Sequence, residues 1–376
     1  MPSKFTLVSN PGPHLFHLKY TVVGIPAPTT RRIATAFILI GCLLCLRPCA
    51  GARVSPAIPG PDRSGSLYEP VHDSAILRAL DHVYRAEYGA ADSVLSSLPD
   101  CPARAYFRGL ARVNRFGDLG DTASLFAARA LWERLDRASD SAASPLLRDP
   151  NYPLYRGLSE LQLSYVASIT GGRLHAARLG RKAVGLLRPY SDRAEAAAAL
   201  ALYDYYKAAL LKGVAWLPFV DADKDRPLRR LEAVVPRSRY LGDIFRTSLI
   251  WIHYDAARYE EGLRPIQAFL ARYPGNRVYR QMLADFRYRQ GDLDSARRIH
   301  EILLSEYEDL GKNCPARTCL PLGYLSSVGN LAKLDASQKR PDSLERHLAI
   351  WHSPGYGDIM KWLPASLVRE VSLLEK

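Results

Sequence analysis

Methionine, cysteine and histidine are scarce in this 376-residue chain, with 3 Met, 6 Cys and 9 His. Beyond residue 30 the histidines stand far apart, at His72, His82, His175, His253, His300, His347 and His352. No His-Glu-x-x-His pair or short His/Cys cluster occurs, so the ligand spacing of a zinc site is missing. Also absent are the Gly-x-Ser-x-Gly elbow, the Gly-x-Gly-x-x-Gly turn and the Gly-x-x-x-x-Gly-Lys-Ser/Thr loop that anchor hydrolase and nucleotide chemistry. We therefore expect a protein that is not an enzyme and needs no cofactor. Lysine is scarce too, since 40 of the 51 basic residues are Arg. The net charge of +13 comes from arginines spread along the chain, without a Lys/Arg run or a basic-aromatic cluster, which points away from a nucleic-acid partner.

Long hydrophobic runs are limited to one. At 48% hydrophobic and 24% charged residues, the chain is too polar to cross a membrane repeatedly and long enough to bury a large core. The single run, Ile33 to Leu46, follows Arg31-Arg32 and precedes Ala50-Gly51-Ala52, which is the grammar of a signal peptide cleaved before Arg53. A second processing route stays open, because Leu39-Ile40-Gly41-Cys42 reads as a lipobox that would anchor the chain through a lipid on Cys42. Either route predicts export to the periplasm or cell envelope. Residues 1–30 make a poor n-region and read as an upstream extension, so residues 1–52 are assigned to extension and signal. Three cysteines then remain. Cys314 and Cys319 enclose four residues and form a candidate local disulfide in an oxidising compartment, with a pair of free thiols as the alternative.

Residues 53–67 carry Pro, Gly and Ser without apolar periodicity and read as a flexible linker. From 68 to 376, apolar residues recur at helical spacing between short Pro, Gly or Asp breaks, and strand-like alternation is rare. The chain reads as all-α. Its helices also repeat: Leu249, Tyr254, Ala257 and Gly262 are matched 34 residues on by Leu283, Tyr288, Gly291 and Ala296. The small residues at Ala257 and Gly291 suit the turn inside a helical hairpin, those at Gly262 and Ala296 let two helix axes approach, and Pro274 stops the chain before the next hairpin. Looser copies lie upstream: residues 157–190 with Gly171, Ala176 and Ala183, residues 72–105 with Ala86, Tyr88 and Ala91, and a pair from Ala103 to Ala138 with its turn near Gly117 to Gly120. In these features the chain resembles tetratricopeptide-repeat solenoids, and its layout resembles an exported bacterial subgroup of undefined function. The resemblance implies a right-handed alpha-alpha superhelix of roughly six to eight hairpins whose concave groove receives a peptide or protein.

Helical spacing on the first helix of each hairpin would place Tyr165, Trp251, Tyr254, Asp255, Gln281, Asp285, Tyr288 and Arg289 in that groove, and Tyr, Trp and Arg are common interface anchors. Inter-helix packing is the competing role for Trp251 and the tyrosines. A structural accessory subunit of an envelope assembly is the alternative to a free groove. Asp221, Asp223, Asp225 and Glu232 fall at the ligand spacing of a calcium loop. Arg226 stands where such a loop needs glycine, so the competing reading has Asp225 capping a helix with Pro227 in its first turn and Glu232 at the surface. The amphipathic stretch from Ser343 to Lys376 reads as a cap on the last hairpin, with Trp351 and Trp362 as a route to peripheral membrane association.

Overall fold

The architecture is seen in a computed structural model, which describes residues 70–211, 223–312, 322–353 and 356–374. The extension, the signal, the linker, Asp221, Cys314 and Cys319 lie outside the described residues. Among those described, regular structure is helical throughout, and the helices pack in sequence-neighbouring pairs in a superhelical arrangement. The pairs are α1 (Pro70–Tyr84) with α2 (Tyr88–Ser96), α3 (Pro102–Leu119) with α4 (Thr122–Arg137), and α5 (Tyr152–Ile169) with α6 (Arg173–Leu187). Then come α7 (Ala194–Leu211) with α8 (Asp225–Val234), α9 (Gly242–Asp255) with α10 (Tyr259–Arg272), α11 (Arg277–Gln290) with α12 (Leu293–Lys312), and α13 (Leu322–Ser337) with α14 (Pro341–Trp351). Two short helices, α15 (Gly357–Met360) and α16 (Ala365–Ser372), finish the described chain.

One backbone device recurs at the turns within hairpins. Ala86, Gly171, Ala257, Gly291 and Lys339 have left-handed φ, from +56° to +91°, and each ends a first helix. At each, the next residue's N–H reaches back five positions to the helix, as Arg258 does to the His253 carbonyl (2.9 Å) and Asp292 to the Arg287 carbonyl (3.0 Å). Such paired back-bonds satisfy carbonyls that the helix end would otherwise leave without a donor. Gly120 ends α3 with a single bond of the same family to Phe116. Ala86 and Gly120 are 34 residues apart, as are Ala257 and Gly291, so the period legible near the C-terminal end also governs the first hairpins.

Close approach of helices rests on glycines set against large side chains. A Cβ on Gly109 would fall 2.4 Å from the Trp132 ring, one on Gly262 2.3 Å from Phe286, and one on Gly329 2.6 Å from Trp351. Trp132, Phe286 and Trp351 are fully buried, so they have no room to retreat, and overpacking of this kind costs about 1–3 kcal/mol. The small residue expected at Gly262 is thus explained by Phe286 of the next repeat.

The superhelix also closes on itself. Helix α3 packs against α11 and α13, far along the chain. Asp118, near the end of α3, is fully buried and accepts from the Tyr88 hydroxyl (3.0 Å), the Tyr307 hydroxyl (2.9 Å) and both Nε (3.0 Å) and Nη2 of Arg277. Asp73 on α1 receives Arg239 (Nε, 2.9 Å) and the Tyr240 hydroxyl, and Asp81 receives the Tyr273 hydroxyl (2.9 Å). Asn276 caps α11 through the Tyr279 N–H (2.9 Å) and donates to the Tyr84 carbonyl at the end of α1 (2.7 Å). These bonds clasp the first hairpins onto the later ones, so part of the inner side is filled by the chain's own helices. The C-terminal segment joins the closure: Leu367 and Val371 of α16 are buried with Val328 and Trp351, and Trp362 meets Phe116 edge-on at 5.3 Å. Trp351 is buried and Trp362 half-buried against α3. No helix among the described residues is long and apolar enough to cross a membrane.

Candidate functional site

Because the left-handed turn follows each first helix at once, the residues just before it gather at one edge of the superhelix. Asp255 lies two positions before Ala257, and Arg289 two before Gly291. From α7 to α16 the side chains at this edge form a connected ridge. The Lys224 ammonium sits 5.8 Å from the Tyr205 ring centre, and both feel the Asp255 carboxylate. Arg289 lies near Asp255, donates from Nε to the Tyr254 hydroxyl (2.8 Å) and lies over the Tyr254 ring. Next to it the Lys333 ammonium covers the Tyr288 ring at 4.8 Å and pairs with Glu370 at 2.7 Å. Charges of both signs alternate with tyrosine rings, each cation held over a ring face by the ring's quadrupole.

Asp255 is the unusual member. Burial pushes its carboxyl up to about 7, against the pull of Lys224 and Arg289. Its Oδ1 is buried and receives no hydrogen bond, an uncommon state for a carboxylate oxygen in a native protein. Leaving such an acceptor unmet costs about 1–3 kcal/mol. Burial also pushes the Tyr205 hydroxyl up to about 12, so it stays a neutral donor beside the carboxyl.

The structure sorts the eight predicted groove residues into two groups. Asp255, Asp285, Tyr288 and Arg289 are brought together on the ridge, with the Tyr254 hydroxyl at its floor. Trp251 and Gln281 are placed in the packing instead, the competing role given for Trp251. Trp251 is 1% exposed and stacks edge-on against Tyr254, and Gln281 is buried with its amide donating to Ser326 of α13. Tyr165, on α5, packs partly buried against the main core and joins none of these ridge contacts. Lys224, Lys333, Glu370 and Tyr205 were missed. They are separated by up to 165 positions, and only the folding of α7, α13 and α16 makes them neighbours.

The acidic segment is arranged as a helix start. Asp223 Oδ1 accepts from the N–H groups of Asp225 (2.8 Å) and Arg226 (3.4 Å), so the capping carboxylate is Asp223 and not Asp225. Pro227 does stand in the first turn of α8, and Glu232 is exposed, 3.9 Å from Nε2 of His253. Because α8 runs unbroken from Asp225 to Val234, Asp225 and Glu232 are spaced by about 10 Å along its axis, too far to share one cation. No group of three or more His, Cys, Asp or Glu is placed to hold a metal ion among the described residues. Comparison with models of known protein families gives no match, and neither does comparison with curated protein sequences.

Proposed function

We propose that this chain is an exported protein-binding scaffold of the tetratricopeptide kind, lodged in the periplasm or cell envelope, which holds a peptide or protein segment along the ridge from Tyr205 to Glu370. One observation carries the reading: the buried Asp255 Oδ1 without a donor, set between the cations of Lys224 and Arg289. A partner's backbone N–H or ammonium group would satisfy that oxygen and recover the cost of leaving it unmet. Half-buried Tyr288 supplies the ring surface that anchors such a segment, above the buried floor of Tyr205 and Tyr254. The 34-residue period and the repeated left-handed turns support placement among tetratricopeptide proteins. Catalysis, a cofactor and a nucleic-acid partner form no part of this function.

A second reading, an accessory subunit fixed in an envelope assembly, draws on the outer helices, where Phe126, Leu174, Ile302 and Leu310 expose large apolar side chains. Photo-crosslinking in the native host separates the two. With the crosslinker at Tyr288 of the full chain, we expect capture of one dominant polypeptide, lost when Asp255→Lys is added. Capture from Leu310 alone, unaffected by Asp255→Lys, would establish the subunit reading instead.

A further inference from the structure

The positive charge that looks evenly spread in sequence is unevenly spread in the folded protein. On the outer helix α4 the arginines are engaged: Arg129 and Arg137 pair with Glu133, and Arg134 with Asp100. On α6 they are not. From Leu161 to Ser191 the chain has no Asp or Glu, while Arg173, Arg178, Arg181, Lys182 and Arg188 fall within that interval. Lys182 turns toward Asp136 and Glu160, at 2.5 and 2.6 Å, and so is ion-paired with the carboxylates that α4 and α5 bring to this side. Arg178 and Arg181 are exposed and form no ion pair with a described residue.

Helical spacing divides α6 cleanly. Ala176, Gly180, Ala183 and Leu187 form the buried stripe. Leu174, Arg178, Arg181 and Gly185 repeat the same spacing on the opposite side, and all four are exposed. Leu174, at 66%, is the most exposed large apolar side chain among the described residues. An arginine-flanked leucine on a helix, with exposed His175 and Ala177 near it, presents a face with a single large apolar projection. No Phe, Tyr, Trp or side-chain amide stands on that face to stack on or read a base. The outer helix of the next hairpin, α8, adds exposed Arg226, Arg229 and Arg230.

We infer that the outer face of α6, centred on Leu174, Arg178 and Arg181, docks on the anionic surface of a phospholipid membrane. The guanidinium groups meet lipid phosphates while their stems and Leu174 enter the boundary between headgroups and acyl chains. This surface is separate from the ridge around Asp255, so the protein would hold its partner on one side and a membrane on the other.

Flotation of the full chain with phosphatidylcholine vesicles, with and without phosphatidylglycerol, tests the inference. Binding is expected only to the anionic vesicles, with release by salt and no displacement by inorganic phosphate at matched ionic strength. Removing both cations with Arg178→Ala and Arg181→Ala should lower partitioning roughly thirtyfold, at about a factor of five per arginine near such a surface. Leu174→Ser should weaken binding while leaving its salt dependence intact. Asp255→Asn should leave vesicle binding unchanged, which keeps this inference distinguishable from the ridge function. Equal partitioning of the double-arginine variant and the parent, with the same melting curve, would overturn the assignment. So would absence of binding, displacement by inorganic phosphate, or transfer of the chain from vesicles to duplex DNA.

Discussion

Asp118 and Asp255 occupy the same repeat position, two residues before the left-handed residue that ends a first helix, yet the fold uses them in opposite ways. Asp118 is fully buried, and both its oxygens are met by two tyrosine hydroxyls and a bidentate guanidinium from three other helices. Asp255 is largely buried, keeps two cations near without a hydrogen bond to Oδ1, and has its carboxyl pushed up to about 7. The difference lies in what closure delivers. Around Asp118 the superhelix meets itself and supplies donors; around Asp255 no helix supplies one to Oδ1. A carboxylate given all its donors holds structure together, and one left short of them costs stability until something binds.

The largest expected effect comes from breaking the satisfied site. Asp118→Ala leaves Arg277 buried without a counter-charge and two tyrosine hydroxyls without an acceptor, and should lower unfolding free energy by about 3–5 kcal/mol in guanidinium titrations. A loss below about 1 kcal/mol would show that Asp118 is no more than a surface aspartate in energetic terms.

Asp255→Asn should act in the other direction. The folded protein keeps the Asp255 proton up to about pH 7, whereas the unfolded chain releases it near the ordinary carboxyl value of 3.8. The unfolded state therefore binds fewer protons in between, and stability falls as pH rises through that window. The variant should flatten this slope and be about 2 kcal/mol more stable at pH 8, while losing partner capture. Thermal melts at pH 4 and pH 8 provide the check; a parent protein that gains stability between them through this residue would contradict the assignment.

The smallest effect is expected at the turn beside Asp255. Ala257 has φ +57°, which an L-residue adopts at a cost that glycine avoids. Ala257→Gly should raise stability by about 0.5–1 kcal/mol without altering the ridge, as read from the shift in denaturation midpoint.

Much of this architecture is legible in the sequence because it depends on local chemistry. Helical spacing, Pro and Gly breaks and the 34-residue match mark α9 to α12, and the turn residues Ala257 and Gly291 are where the period places them. The same logic marked Gly171 in a looser upstream copy. The groove was read less well. Helical spacing says which side of α9 and α11 a residue occupies, but not how far the first hairpins reach across, so Trp251 and Gln281 could not be told from Asp255 and Arg289. The calcium-like spacing failed for a related reason: a capped helix from Asp225 fixes that segment's geometry, and spacing alone does not reveal it.

The sequence by itself determined the all-helical class, the hairpin period and the turns at Gly171, Ala257 and Gly291, since each depends on residues within a few turns of one another. Tertiary structure alone decided which equivalent aspartate is satisfied, which arginines go without partners and which tyrosines join the ridge. Those outcomes depend on donors and counter-charges supplied by helices more than a hundred residues away, as Arg277 and Tyr307 are from Asp118, and no local pattern encodes where closure brings them.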